Sequence, residues 1–525
     1  MKVVLIQIDL VMGARVLLSM LNQYGYKTKS LQINIRYTDS LSEDDLEKIY
    51  EYIGDAEVVG LSFNTFYAIT AKLLADFLKS RGMKHIIAGG NHATALPEEV
   101  IDYADVVIRY EAEVTLLKVL DAIKKGSENL SSIKGILYKL NGEIFKNDSP
   151  PDIVWSLNDI PFQSVDTNLI KYFDLSNKVY TPNKNNLFPH VTGCYFLLGS
   201  RGCPFACTYC SNSLYRSIDK KFNKVRKRSI DNILEEMTYA INNGFNSFYV
   251  TDDNFFSFAV DEIEYFNQEY KKNIRKPFSV SGINPNNFRD TTSEKKLILL
   301  LDCGLTEVRI GVQSGSNKTL KIFKRGYNAE EVKKLLEPIE RNRATIWGNP
   351  RNKLHVALDF ICDAEWETKE DKIATIMLAQ QLLKQYTVYF YTLVYLPGTE
   401  IYADAVKNNL VDDKEKSIYL KGIAGVEDNL YNRLFFLIAV TKERGVTLSE
   451  VLINHILNLI DSSSENAKDL INSMIMCIND IEKHHDVCLD HSIIHPYLTG
   501  FNEWTKTVGD VGKKVLFRSY HAPYG

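Results

Sequence analysis

The sequence predicts an α/β protein in three parts: a doubly wound N-terminal domain (1–130), a partial barrel of six strand–helix units (195–408), and a mostly helical region (409–525) expected to cover the substrate. Residues 131–194 read as a linker with a hairpin. Three observations predict this. From residue 1 to about 125, β-branched runs of strand length alternate with amphipathic helical stretches. The same alternation resumes near Tyr195 after a less periodic interval. Past about residue 410, segments such as NRLFFLIAVTKERG and LSEVLINHILNLIDSSS repeat their apolar residues at helical spacing. Strands alternating with helices of this length build parallel sheets.

Taken in order, the first part reads KVVLIQI, MGARVLLSMLNQYG, KTKSLQI, DLEKIYEYI, VVGLSF, AITAKLLADFLKSRG, HIIAGG, PEEVIDY and DVVIRY. Gly60, Gly89 and Gly90 flank or end strands, where doubly wound folds place ligand loops and where tight turns also want glycine. ILYKLNGEIFKND is a hairpin with Asn141-Gly142 at its turn, and SPPDIVWSLNDIP reads as an extended, proline-marked connector. Strands of the second part are expected near YFLLGS, SFYVT, FSVSGI, EVRIGV, HVALDFI and YFYTLVY, six β/α units for an open or closed barrel.

Composition narrows the function classes. The 525 residues are 45% hydrophobic and 24% charged, ordinary for a globular protein. Lys and Arg number 62 against 66 Asp and Glu, a net charge of -4, which provides no basic footprint for nucleic acid and points to a small molecule or peptide as substrate. The N-terminus reads as the first strand of a domain and not as a leader, and no run approaches the roughly 18 apolar residues of a membrane span. The eight cysteines are too sparse for a disulfide scaffold, so a reducing, cytoplasmic setting without membrane attachment is expected.

Three of them, Cys203, Cys207 and Cys210, stand in a C-x3-C-x2-C spacing just after a strand. Full ligation of a [4Fe–4S] cube takes four thiolates, so three leave one iron open to chelate a ligand. A structural zinc site normally wants four ligands, and no cysteine or histidine follows within dozens of residues. Cys194, inside an apolar run, and Cys362, in mid-strand, read as packing residues. Cys477 and Cys488, with His484, His485 and His491, fit no metal pattern, and the aromatic segments HPYLTGFNEW and SYHAPYG read as core, interface or pocket lining.

The RGCPFACTYC segment, together with several downstream motifs in matching order, resembles the radical S-adenosylmethionine (SAM) superfamily. The resemblance implies that the open iron chelates SAM, whose reductive cleavage yields methionine and a 5'-deoxyadenosyl radical. It implies SAM contacts from Tyr209 beside the cluster, from Asp252 and Asp253 in TDDNF after the second strand, and from Gln313, Ser314 and Ser316 in EVRIGVQSGS at the fourth, with Lys324-Arg325-Gly326 a little further on. Tyr395 and Leu396 in YLPGTEIY stand at the sixth. FICDAEWET departs from the family at the fifth strand, where Asp363 and Glu365 bring charge to a loop expected near the adenine.

Residues 55 to 120 resemble the cobalamin-binding domain found in front of many radical SAM enzymes. The resemblance implies cobalamin contacts from Ser62, Thr65, Gly89, Gly90, Asn91 and Glu111. Asp9-Leu10-Val11-Met12-Gly13 lacks the histidine that other cobalamin proteins carry there, so cobalamin without a histidine ligand is implied, and His92 reads as a loop residue. Tyr110 and Ala112 stand where relatives usually have glycine. With both cofactors the resemblance implies a methyltransferase acting on an unactivated carbon or phosphorus of a small molecule or peptide, served by an electron donor such as flavodoxin or ferredoxin. Alternatives are radical rearrangement, cyclisation or C–C or C–S bond formation, and a non-catalytic cofactor sensor, against which the intact cysteine motif speaks. RNA methylthiotransferases share the barrel motif, but they carry auxiliary-cluster cysteines in the first domain, and this chain has none before Cys194.

Overall fold

Lys2–Ile8 (β1) is buried from its second residue onward, as a strand covered on both faces must be. It is the middle of a parallel set that alternates with helices in chain order: Met12–Gln23 (α1), Lys27–Ile33 (β2), Glu43–Ile53 (α2), Val58–Ser62 (β3), Ala68–Ser80 (α3), His85–Gly89 (β4), Asn91–Ala95 (α4), Pro97–Val100 (α5), Val106–Ile108 (β5) and Glu113–Lys124 (α6). The structure, a computed structural model, describes residues 1–8, 12–182, 193–343, 354–421, 426–462 and 465–484. Residues 9–11 of the segment lacking a histidine therefore lie outside the described residues. So do Cys488, His485, His491 and both C-terminal aromatic segments, while the side chains of Cys477 and His484 are not described.

The stretch expected as a linker extends this sheet. Ile136–Leu140 (β6) and Glu143–Asn147 (β7) form the hairpin, with Asn141 and Gly142 both at positive φ, and β6 runs antiparallel to β5. Ile170–Asp174 (β8) lies parallel to β2 and carries Val179–Pro182 (β9) antiparallel beside it. The order is β7-β6-β5-β4-β3-β1-β2-β8-β9. Backbone polar groups at both edges of the parallel core thus find partners in residues that lack helix–strand alternation.

The chain divides into two compact units: the first is Met1–Tyr195 with Thr208–Asn232 and Val394–Gly422, the second Phe196–Cys207 with Ile233–Leu393 and Ile423–Gly525. Along the chain come Cys194–Leu197 (β10), Ser200–Arg201 (β11), Asn212–Ile218 (α7), Arg226–Lys227 (β12), Ile230–Asn242 (α8), Ser247–Val250 (β13), Val260–Asn273 (α9), Phe278–Ile283 (β14), Thr291–Cys303 (α10) and Leu305–Gln313 (β15). Then come Asn317–Ile322 (α11), Ala329–Asn342 (α12), His355–Cys362 (β16), Lys369–Gln381 (α13), Thr387–Thr392 (β17), Glu400–Lys407 (α14), Leu430–Glu443 (α15), Glu450–Asp461 (α16) and Glu465–His484 (α17).

The second sheet has the order β10-β13-β14-β15-β16-β17, with parallel pairing from β13 through β17. Along β15, Val308, Ile310 and Val312 are buried while Glu307, Arg309 and Gly311 are partly exposed, so one face meets helices and the other is polar and open. In the region past 409, α15 packs against α13 and β17. Phe435 sets its ring edge-on to Phe360 and Phe390, with centroids 5.1 and 4.8 Å away. An all-round apolar helix such as FFLIAV belongs in a helical layer.

Gly90 is the tightest point of the first sheet. Its φ is +104°, and a Cβ there would sit 2.4 Å from the Phe63 carbonyl oxygen. Gly25 has φ +78° with open space around it. Gly90→Ala is therefore expected to cost at least about 2 kcal/mol and Gly25→Ala about 1 kcal/mol, the backbone penalty alone. Urea midpoints of the full chain check this, and equal losses at the two sites would refute the clash.

Candidate functional site

At the end of β13 a wholly buried carboxylate organises the entry to the cysteine loop. Asp252 is 1% exposed. Its Oδ1 accepts from the Gly199 N–H at 2.6 Å and its Oδ2 from the Ser200 hydroxyl at 2.5 Å. Burial pushes the Asp252 carboxyl up to about 7, against the lowering effect of those donors. Both oxygens are thus engaged within the second unit, with Gly199 and Ser200. Asp253 is exposed and accepts from the Gly202 N–H at 3.1 Å, leaving it the carboxylate open to an ammonium group. Gly282 makes this close approach possible: at φ +72°, a Cβ would lie 2.0 Å from the Asp252 carbonyl oxygen.

The cysteines differ in exposure: Cys207 is buried, Cys203 and Cys210 partly so. Arg325 donates from Nη1 to the Cys207 sulfur at 2.9 Å. It was legible only as part of Lys324-Arg325-Gly326, and nothing in the spacing of 118 residues signals the bond. Cys194 and Cys362 are buried in their strands. Burial raises the Cys362 thiol well above its ordinary value, so that residue presents no accessible thiolate.

The turn after β15 is tied mainly to α13. Ser314 Oγ lies 3.1 Å from Thr375 Oγ1, and the Gly315 N–H donates to Thr375 Oγ1 at 2.9 Å. Ser316 caps α11 by accepting from the Thr319 N–H and donates to Asp371 at 2.5 Å. Both serines expected at SAM are buried in these bonds. Gln313 differs, since it holds φ +77° without being glycine, a strained backbone that turns up at ligand sites. At the fifth strand, Asp363 is buried and accepts from Asn432 Nδ2 at 2.8 Å and the Glu427 N–H at 2.9 Å. The charge expected near an adenine instead anchors the start of α15, while Glu365 is exposed.

Tyr209, Tyr395 and Leu396 belong to the first unit. Tyr395 is buried and Tyr209 partly exposed. The Ile401 N–H donates to the Thr208 carbonyl at 3.1 Å, and a Cβ on Gly398 would meet Leu214 at 2.7 Å. The segment after β17 thus fastens Thr208, between Cys207 and Cys210, and Leu214 just beyond them.

On the first sheet's strand ends, Ser62, Gly89 and Gly90 are partly exposed and Asn91 exposed, while Thr65 is buried. Asn91 Oδ1 accepts from the Tyr215 hydroxyl, and Glu111 is ion-paired with Arg226. Tyr110, standing where glycine was expected, adopts φ +68°. Its ring packs on Phe222 and Tyr215, with centroids 4.1 and 4.7 Å away, and its N–H donates to Thr94 Oγ1 at 2.7 Å. The chain has filled this corner with Tyr215, Phe222 and Arg226, and Glu111 is engaged internally. His92 is wholly buried between Phe63 and Tyr419, with Nε2 3.6 Å from Glu99. His92, Tyr419 and Lys414 hold the Glu99 carboxylate well below its ordinary range.

The residues fit the two implied groups unequally. Among the described residues no three His, Cys, Asp or Glu side chains are gathered ready to hold a metal ion. What suits an iron–sulfur cluster is the donor chemistry, three thiols on one short loop. What suits a cobalamin is the ledge of Ser62, Gly89 and Gly90, with His92 too deeply buried to reach cobalt.

Residues 197–344 match the Radical SAM superfamily and residues 10–120 the B12 binding domain. A Pyrococcus horikoshii protein named as an uncharacterized methyltransferase is 25% identical over 396 residues, 72% of this chain and 76% of its own. The bacteriochlorophyllide d C-8(2)-methyltransferase of Chlorobaculum tepidum is 24% identical over 423 residues, 78% of this chain and 81% of its own. Among solved structures, the radical S-adenosylmethionine methyltransferase TsrM from Kitasatospora setae, with cobalamin and a [4Fe-4S] cluster bound, has a TM-score of 0.59. At 15% identity over 77% of this chain and 78% of its own, that is a likeness of fold.

Because the folded-state pKa of Asp252 is raised, its contribution to stability is full below about 4 and is lost as pH rises to about 7, with no further change above. Asp252→Asn is expected to flatten the fall of the urea midpoint across that window, relative to the parent chain. An unchanged slope would show that the carboxyl titrates normally.

Proposed function

The chain carries a B12-binding domain followed by a radical SAM domain, and on that footing we propose that it is a cobalamin-dependent radical SAM methyltransferase. The substrate is a small molecule or peptide, methylated at an unactivated carbon or phosphorus. The observation that carries the reading is the joining of a three-cysteine loop to a B12-binding domain in one chain. Two relatives named as methyltransferases support it, and the near-neutral charge speaks against nucleic acid.

Cys203, Cys207 and Cys210 hold the cluster in this reading, with Tyr209, Asp253 and Gln313 facing SAM. Asp252 serves by holding Gly199 and Ser200. Ser62, Gly89, Gly90 and Asn91 border the cobalamin. Bound by these residues, a [4Fe–4S] cluster supplies the electron that cleaves SAM, drawn from a flavodoxin or ferredoxin, and cobalamin supplies the methyl carrier. The chain's part is to bind, orient and exclude water. The polar face of the second sheet suits substrate binding: Arg309 is 24% and Asp359 19% exposed, joined by Nε–Oδ1 and Nε–Oδ2 distances of 2.9 and 3.1 Å. Arg309 lies 4.3 Å over the Tyr389 ring and also donates to Tyr391.

Anaerobically purified chain supplied with iron, sulfide and cobalamin tests the reading. Cluster and cobalamin absorption are both expected, with SAM cleavage under strong reductant. Cys203→Ala, Cys207→Ala and Cys210→Ala should each abolish cleavage and keep the cobalamin spectrum. Transfer of a labelled SAM methyl group into product separates methylation from cyclisation or rearrangement. Failure of the parent chain to cleave SAM would overturn the proposal.

A further inference from the structure

Arg325 is aimed by its backbone before its side chain makes any bond. Helix α11 ends with Lys324 at φ +51°, and the Arg325 N–H donates to the Leu320 carbonyl at 3.0 Å while the Lys324 N–H donates to Lys321 at 3.1 Å. This is a left-handed helix terminus made without glycine. Gly326 comes next at φ +72°. Asn286 donates to the Arg325 carbonyl at 2.6 Å and Arg289 to the Gly326 carbonyl at 2.8 Å. The consequence is an arginine 5% exposed, held between two fixed turns.

Its N–H groups are then distributed by geometry. Nε donates to the Tyr327 hydroxyl at 2.9 Å, Nη2 to the Gly311 carbonyl, and Nη1 to the Cys207 sulfur at 2.9 Å. Tyr327 in turn lies 2.8 Å from the Val312 carbonyl and 3.1 Å from that of Gly311, so the fork is held by the end of β15. Hydrogen bonds to ligand sulfurs and net charge set the potentials of iron–sulfur clusters, and partners of ligands fix their orientation.

We infer that Arg325 is a positioning residue for the cluster: it seats the Cys207 sulfur and makes the cluster easier to reduce. The inference rests on the radical SAM reading. One-electron reduction adds a negative charge to the cluster, and a buried cation 2.9 Å from a ligand sulfur stabilises the reduced form more than the oxidised one. Removing the cation shifts the midpoint potential to more negative values. Restoring it with lysine, which keeps the charge and loses the fork, returns most of the shift.

The test uses the full chain, reconstituted anaerobically, as parent, R325Q and R325K, with C207A as the control that lacks a ligand. Iron and sulfide content, a redox titration followed by electron paramagnetic resonance, and SAM binding are measured on each. R325Q is expected to keep its iron and titrate at a more negative potential, with R325K near the parent. Loss of iron from R325Q with retention in R325K supports the same inference, since the cation is then what seats Cys207. R325Q with full iron at the parent potential overturns it, and weakened SAM binding as the sole effect would assign Arg325 to the SAM carboxylate. A parent chain that assembles no cluster overturns instead the reading on which the inference rests.

Discussion

A loop that presents three thiols has to leave its strand in one direction only, and the buried carboxylate of Asp252 supplies that constraint. It takes the Gly199 N–H and the Ser200 hydroxyl at the point where β10 gives way to the cysteine loop. The site tolerates no competing side chain: Gly282 on the neighbouring strand is already in contact with the Asp252 backbone. The cost is a carboxyl held away from water, visible in its raised pKa. Two well-aligned donors offset part of that cost. Only then is Asp253, one residue on, fixed at the open end with its own bond to Gly202.

The first unit repeats the device with different chemistry. Tyr110 accepts a left-handed backbone that costs an ordinary side chain about 1 kcal/mol, and its ring is held between Phe222 and Tyr215. Glycine there would relieve the strain and lose the packing. Glu111 with Arg226 and Asn91 with Tyr215 add polar bonds between the same two segments. The residues just past Cys210 are therefore fastened to the strand ends of the first sheet, independently of any cofactor.

The positions of strands and helices were legible because each covered strand is a short β-branched run and each helix an apolar stripe. The strands expected near residues 2, 27, 58, 85 and 106 form in those places, as do the six of the second sheet. The direction of polar side chains at strand ends was not legible. Ser314 and Ser316 have the residue type of a ligand contact, yet Thr375 and Asp371, some sixty residues later, take them up. Asp363 is claimed by Asn432 in the same way. A motif records that a small polar group stands at a strand end. Whether it faces a ligand or ties its own turn depends on a partner brought by the fold. The hairpin β6–β7 was legible, but its pairing with β5 and the strands β8 and β9 escaped for a related reason, since edge pairing arises from unmet backbone bonds and not from periodicity.

The polar face of the second sheet shows why six strands suit this chemistry. Parallel strands closed into a full barrel fill their interior with layers of branched side chains. Here the inward-alternating positions carry Tyr249, Glu307, Arg309, His355, Asp359, Tyr389 and Tyr391, all partly exposed. His355 Nε2 lies 2.8 Å from Thr387 Oγ1, and its Nδ1 lies 3.7 Å from Glu307. Such a set packs poorly as a core, because each charge must keep a partner and some water. Arg309 meets the requirement by forking onto Asp359 while stacking on Tyr389. Stability comes instead from the opposite face, where Val308, Ile310 and Val312 are wholly buried. Dividing the sheet this way lets one side hold the fold while the other remains available to a polar ligand.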